Sequence, residues 1–141
     1  CNSLLHGVPD ATTNKLQRVQ NMAAKATLQR GKRESSTDAL KTLHWLPVKQ
    51  RIVFKTPLLS YKCINSTGPM YLKDCISSYV PNRNLRSSHL DLFDVPRATT
   101  KLNEQRFSYS APVLWNILPN DIKSSQSVNV FKSKIKTFLF P

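Results

Sequence analysis

A chain of 141 residues suits one domain, or one small domain with a tail, because larger cores need more residues to bury the required surface. Apolar residues at 40%, with six Phe, four Tyr and two Trp, suffice for a small core and exclude a wholly disordered tail. Twenty-one Lys and Arg against eight Asp and Glu leave a net charge of +13, which repels itself in a compact state unless a polyanion neutralises it. Nucleic acid is the first candidate partner, and a membrane surface could exploit the same charge.

In chain order, the sequence begins at Cys1 directly on an apolar stretch, Ser3-Leu4-Leu5, and so reads as the continuation of something upstream. Over residues 12–29, Leu16, Val19, Ala23 and Ala26 recur at helical spacing, with Lys15, Arg18 and Lys25 elsewhere, which predicts a first helix. Residues 30–36 combine a glycine, charges and hydroxyls, as a solvated linker does. Thr37 is a candidate cap for a short second helix carrying Ala39, Leu40 and Leu43. Pro47 suits the first turn of a third helix, on which Ile52, Leu59 and Cys63 recur. Pro57 lies in its interior. A proline there removes a hydrogen bond and crowds the preceding turn, at a cost of about 3 kcal/mol, which predicts a kink or break. Asn65-Ser66-Thr67-Gly68-Pro69 signals a turn, with a short helix expected over residues 70–76.

From residue 77 to about 104 the helical period is lost, and only residues 90–95 could form a strand. Helical character returns over residues 111–118, a turn follows at Pro119-Asn120, and Ser127 is placed to cap a last helix. There Val128, Phe131, Ile135 and Leu139 form one stripe, with Lys132 and Lys136 on another face. That basic amphipathic pattern is compatible with a membrane surface. The expected segments are 1–30, 31–78, a basic irregular loop at 79–106, and 107–141.

Cys1, Cys63 and Cys75 form neither an even disulfide set nor a Cys-x-x-Cys pair, so buried, reduced thiols are expected at Cys63 and Cys75. His6, His44 and His89 stand far apart without partners at metal-ligand spacing, and no zinc site is expected. No apolar run approaches the ~18–20 residues of a membrane helix, and no signal peptide is visible. The expectation is a soluble, intracellular protein. Asn65-Ser66-Thr67 fits a glycosylation acceptor, which matters only in a secretory compartment. Trp45 and Trp115, each among leucines, are expected as core anchors in preference to base-stacking platforms.

Four stretches occur in a fixed order. The first is Cys1-Asn2-Ser3-Leu4-Leu5 with Leu16-Gln17-Arg18-Val19-Gln20-Asn21, and the second is Leu43-His44-Trp45-Leu46-Pro47-Val48-Lys49-Gln50-Arg51-Ile52. The third is Arg83-Asn84-Leu85-Arg86-Ser87-Ser88 with Val95-Pro96-Arg97. The fourth comprises Phe107, Ala111-Pro112, Leu114-Trp115-Asn116, Leu118-Pro119, Ser127 and Phe131-Lys132-Ser133-Lys134. In this order they resemble the region after the palm in reverse transcriptases of LINE-type, non-LTR retrotransposons of the chicken-repeat and jockey-like group. The resemblance implies a parent RNA-directed DNA polymerase that copies element RNA at a nick in target DNA, in the nucleus, with magnesium held by a palm upstream of Cys1. It makes residues 1–30 a thumb-like helix.

A polymerase clamps attacking and leaving oxygens between two metal ions about 4 Å apart, on clustered Asp residues. The family's adjacent Asp pair does not occur here, and Asp91 with Asp94 is a loop pair without a second cluster. No catalytic residue and no cofactor are therefore expected in this chain. Arg83 and Arg86, near Tyr79 on a Pro- and Ser-rich loop, suit phosphate oxygens through paired guanidinium donors, with Arg97 and Lys101 beyond them. Lys15, Arg18 and Lys25 could track a template-primer, as thumb helices of the resembled family do.

The combined reading is a mainly α fold of about five or six short helices, with an irregular basic segment and room for a small β-hairpin. It binds RNA template or target DNA without catalysing. The alternative is a structural segment docking on the palm and fingers of the same polymerase, with no function alone. The family pattern is departed from at Pro57 and over residues 26–36, as a decayed copy of an element would do.

Overall fold

The computed structural model describes residues 5–81, 83 and 91–140. Among them are eight helices: α1 (Asp10–Thr27), α2 (Ser36–Thr42), α3 (Val48–Ile64), α4 (Met70–Lys73), α5 (Lys101–Glu104), α6 (Phe107–Asn116), α7 (Asn120–Lys123) and α8 (Val128–Leu139). The fold is mainly α. It has more helices than the five or six expected because single turns also close at α5 and α7, each held by a few backbone bonds, while the short helix expected over residues 70–76 is the single turn α4. Among the described residues no helix is long and apolar enough to cross a membrane.

The core forms where α3 packs along α6 and α8. Leu58, Tyr61, Phe93, Trp115, Leu118, Ile122, Phe131 and Ile135 are buried together. The stripe expected on the last helix is the one that turns inward: Phe131 and Ile135 are fully buried, and Val128 and Leu139 pack beside them. Ser127 caps that helix as expected, accepting from Val130 N at 3.3 Å. α2 is capped earlier than expected, by Ser35 and not Thr37, because the Ser35 hydroxyl reaches Asp38 N at 3.4 Å.

Pro57 does not end α3, which runs as one helix from Val48 to Ile64. Its ring is fully buried, as is that of Pro112 inside α6, the helix packed against α3. An apolar ring placed in the core regains by burial much of what the missing hydrogen bond costs.

Where the sequence leaves room for a hairpin, the described residues form one antiparallel bridge, Ser78 with Phe93, with Tyr79 N donating to Leu92 O and Asp94 N to Ser77 O, both at 2.9 Å. Leu90, the first residue of the expected strand, lies outside the described residues. Two α6 side chains hold this strand-like segment. Asn116 accepts from Phe93 N and donates to Phe93 O, each at 3.0 Å, and Trp115 Nε1 donates to Asp91 O at 2.8 Å.

α1 departs from its expected face. Thr13 and Ala24 are the residues it buries, while Leu16 is 41% and Val19 59% exposed. Two glutamines explain the rotation. Gln17 Oε1 accepts from Val48 N at 2.7 Å, satisfying an end-of-helix donor on α3 that Pro47 cannot cap, and Gln20 Nε2 donates to Leu46 O at 2.9 Å. A small second cluster, Ala24, Ala39 and Leu40, completes that contact, with Trp45 against it but only half-buried, so of the two tryptophans only Trp115 is a core anchor. Of the thiols, Cys63 is buried as expected and Cys75 is exposed, because the single-turn α4 lies outside the core.

Three helices end in the same way. Gln29, His44 and Ser66 sit in the left-handed region, at φ 52°, 53° and 54°, and the following amides of Arg30, Trp45 and Thr67 each donate back to the helix at 2.9 Å. This is the Schellman arrangement, with a non-glycine residue where glycine is unstrained. Because the left-handed conformation costs an L-residue about 1–2 kcal/mol, Ser66→Gly is expected to raise stability by about 1 kcal/mol, read as a higher urea midpoint. Gly68→Ala is expected to lower it, since the added Cβ would stand 2.9 Å from Cys63 N and 3.0 Å from its Sγ.

His6, in the turn before α1, has its Nδ1 buried without a hydrogen-bond partner among the described residues, and burial holds its pKa below the ordinary 6.5. Well above pH 6.5 both folded and unfolded chains carry it neutral. As pH falls through 6.5 the unfolded chain takes the proton first, so stability falls until the folded pKa is passed. Urea midpoints between about pH 7 and 5 should therefore drop more steeply for the native chain than for His6→Asn.

Candidate nucleic-acid interface

Burying one face of α3 and one of α8 leaves their cations outward. On α3, Ile52 and Thr56 are buried while Arg51 and Lys55, four residues apart, are exposed on one face. On α8, burial of Phe131 and Ile135 leaves Ser133 and Thr137 exposed and Lys136 half-exposed. The loop between α2 and α3 brings His44 and Trp45 to the same place through its left-handed turn.

The result is a pair of adjoining grooves that share His44 and Lys136. One, of about 290 Å³, is lined by His44, Trp45, Leu46, Arg51, Phe54, Lys55 and Lys136. The other, of about 280 Å³, is lined by His44, Ser133, Lys136, Thr137 and Phe140. Among the described residues no carboxylate lines either. Among the described residues two ion pairs form, Arg30 with Glu34 at 3.7 Å and Lys49 with Asp10 at 2.7 Å, and neither involves a groove cation. A third, mostly apolar groove of about 390 Å³ between α1 and α3 shares Trp45 and Arg51 with the first. Its other walls include Leu16, Val19, Ala23, Val48 and Ile52.

Elsewhere the titratable groups serve structure. Burial pushes the Lys123 ammonium below its usual range, with Asp91 opposing, at a residue only 8% exposed. The Cys63 thiol is raised by burial first and by Cys75 second, against Lys73, which keeps it protonated and a poor nucleophile. On α8 the stripe of Phe131 and Ile135 is buried in the core, while Val130 and Phe138 are exposed.

The residues singled out from sequence are not gathered into one site. Lys15 and Arg18 are exposed on α1, and Lys25 is half-buried with its ammonium donating to Lys32 O at 2.9 Å. Arg83 and Arg97 are exposed, Lys101 is exposed at the start of α5, and Arg86 lies outside the described residues. None of the six that are described lines the two basic grooves. Sequence reasoning passed over Arg51, Lys55 and Lys136. The basic pair four apart shortly after Trp45 was a visible signal, whereas its meeting with Lys136 depends on how α8 packs.

Comparison with protein-family models, with curated proteins and with solved structures finds no match for the chain. The magnesium ions that the resemblance implies belong to a palm; among the described residues no group of three or more His, Cys, Asp or Glu could hold a metal ion.

Proposed function

We propose that the chain is a non-catalytic, C-terminal part of a LINE-type RNA-directed DNA polymerase that grips RNA template or target DNA by charge and shape. The observation that carries this reading is the pair of grooves rimmed by Arg51, Lys55 and Lys136, with no Asp or Glu among the described lining residues, on a chain of net charge +13. Cations held on rigid helices meet phosphate oxygens at little entropic cost, and release of condensed counterions drives the association. The dispersed cations, Lys15, Arg18, Lys25, Arg83, Arg86, Arg97 and Lys101, add a positive field that steers a polyanion from any side. Order of the four motifs supports the retrotransposon assignment.

A second reading is supported by the exposed apolar face of α1, where Leu16, Val19 and Met22 stand 41%, 59% and 64% exposed. A face of this kind suits a segment that docks on the palm and fingers of its own polymerase and does nothing alone. A stable monomer that unfolds cooperatively favours the first reading, and an aggregating chain favours the second.

Binding of the chain to RNA and to nicked duplex, measured at several salt concentrations, tests the proposal. The logarithm of the affinity should fall linearly with that of salt. Each neutralised phosphate contributes about 0.7–0.9 to that slope, so replacing Arg51, Lys55 and Lys136 together by Ala should reduce it by roughly two. A response flat in salt would overturn the electrostatic grip.

A further inference from the structure

We propose that Trp45 is a stacking platform for an unpaired base, so that the site takes single-stranded RNA or DNA in preference to duplex; this rests on the nucleic-acid reading above. Three observations converge on that side chain. Trp45 is half-buried, whereas Trp115 is sealed in the core at 2% exposure with its indole N–H already bonded. It lines the basic groove and the apolar groove at once, as does Arg51. Its position is fixed from behind by the contact with Ala24, Ala39 and Leu40 and by the bond from Trp45 N to Leu40 O at 2.9 Å.

A ring anchored on one side and facing two grooves is pre-organised to receive a planar ligand. Phosphates lie along Arg51, Lys55 and Lys136, while a base turns into the apolar groove beside Leu16 and Val19. In that groove the Gln20 amide is clamped through Nε2 on Leu46 O, which fixes the wall beside the ring. A duplex keeps its bases stacked on one another and offers only phosphate to such a site, whereas a single strand offers both phosphate and a free ring face. Stacking tolerates any base, so the site selects strandedness and not sequence.

The test compares the affinity of the 141-residue chain for three ligands at one salt concentration by fluorescence anisotropy. These are a mixed-sequence single strand, its blunt duplex, and an abasic strand of equal length. Single strands made as RNA and as DNA distinguish the two sources. The single strand should bind about tenfold tighter than both others, and Trp45→Leu should lower its affinity about tenfold while changing duplex affinity by no more than about twofold. Trp45→Phe keeps an aromatic face and should retain most single-strand binding, which separates loss of stacking from loss of fold. Equal binding of all three ligands by the native chain overturns the stacking platform and leaves the electrostatic grip standing. Binding to none of them overturns both.

Discussion

Tyr61, Phe131, Trp115 and Phe93 form a continuous run of rings, each contributed by a different element: α3, α8, α6 and the bridged segment. Tyr61 stacks on Phe131 with centroids 4.3 Å apart, Phe131 on Trp115 at 6.1 Å, and Trp115 meets Phe93 at 5.2 Å. Aromatic pairs of this geometry add about 0.5–1.5 kcal/mol each beyond the area they bury. Their outer edges are tied to backbone as well, Tyr61 through its hydroxyl to Ser125 O and Trp115 through its indole to Asp91 O. The described residues between 77 and 94 have little regular structure of their own, and this ladder is what gives them a place.

The basic grooves inherit their geometry from the same packing. With Phe131 and Ile135 committed to the core, α8 can present Lys136 only on the flank that meets α3, and with Ile52 and Thr56 inward, α3 can present only Arg51 and Lys55 there. Mutual repulsion among these cations is tolerated because the apolar burial beneath them sets their spacing. The α1–α2 pair, joined to each other through Ala24, Ala39 and Leu40, is attached differently, through the two glutamine side chains on Leu46 O and Val48 N. It has few large buried side chains, and its apolar stripe remains available.

Much of the fold was legible because local signals agreed with tertiary need. The Ser127 cap, the turn through Gly68 and the stripe of Phe131 and Ile135 each specify the same structure at two levels. Where they disagreed, tertiary packing won. Pro57 reads as a helix breaker until its ring is seen in the core, and Leu16 with Val19 reads as a buried face until Gln17 and Gln20 claim the contact. Thr37 and Ser35 are chemically equivalent caps, and only the local backbone chooses between them. The grooves were the least legible part, since charge runs identify cations but not which of them meet: Arg51 and Lys55 are near neighbours on one helix, while Lys136 arrives from the far end of the chain. Of the cations that drew attention in the basic loop, Arg83, Arg97 and Lys101 contribute nothing to them.

The central claim is that the polyanion surface lies on α3 and α8 around His44 and Trp45, held there by the aromatic ladder. Amide hydrogen exchange of the chain with and without a saturating oligonucleotide tests this most directly, because protection reports which backbone a ligand covers or stiffens. Added protection is expected at residues 44–55 and 133–140, with residues 91–101 unchanged. Protection confined to residues 91–101 or to α1, with the α3 and α8 segments exchanging as before, would contradict it.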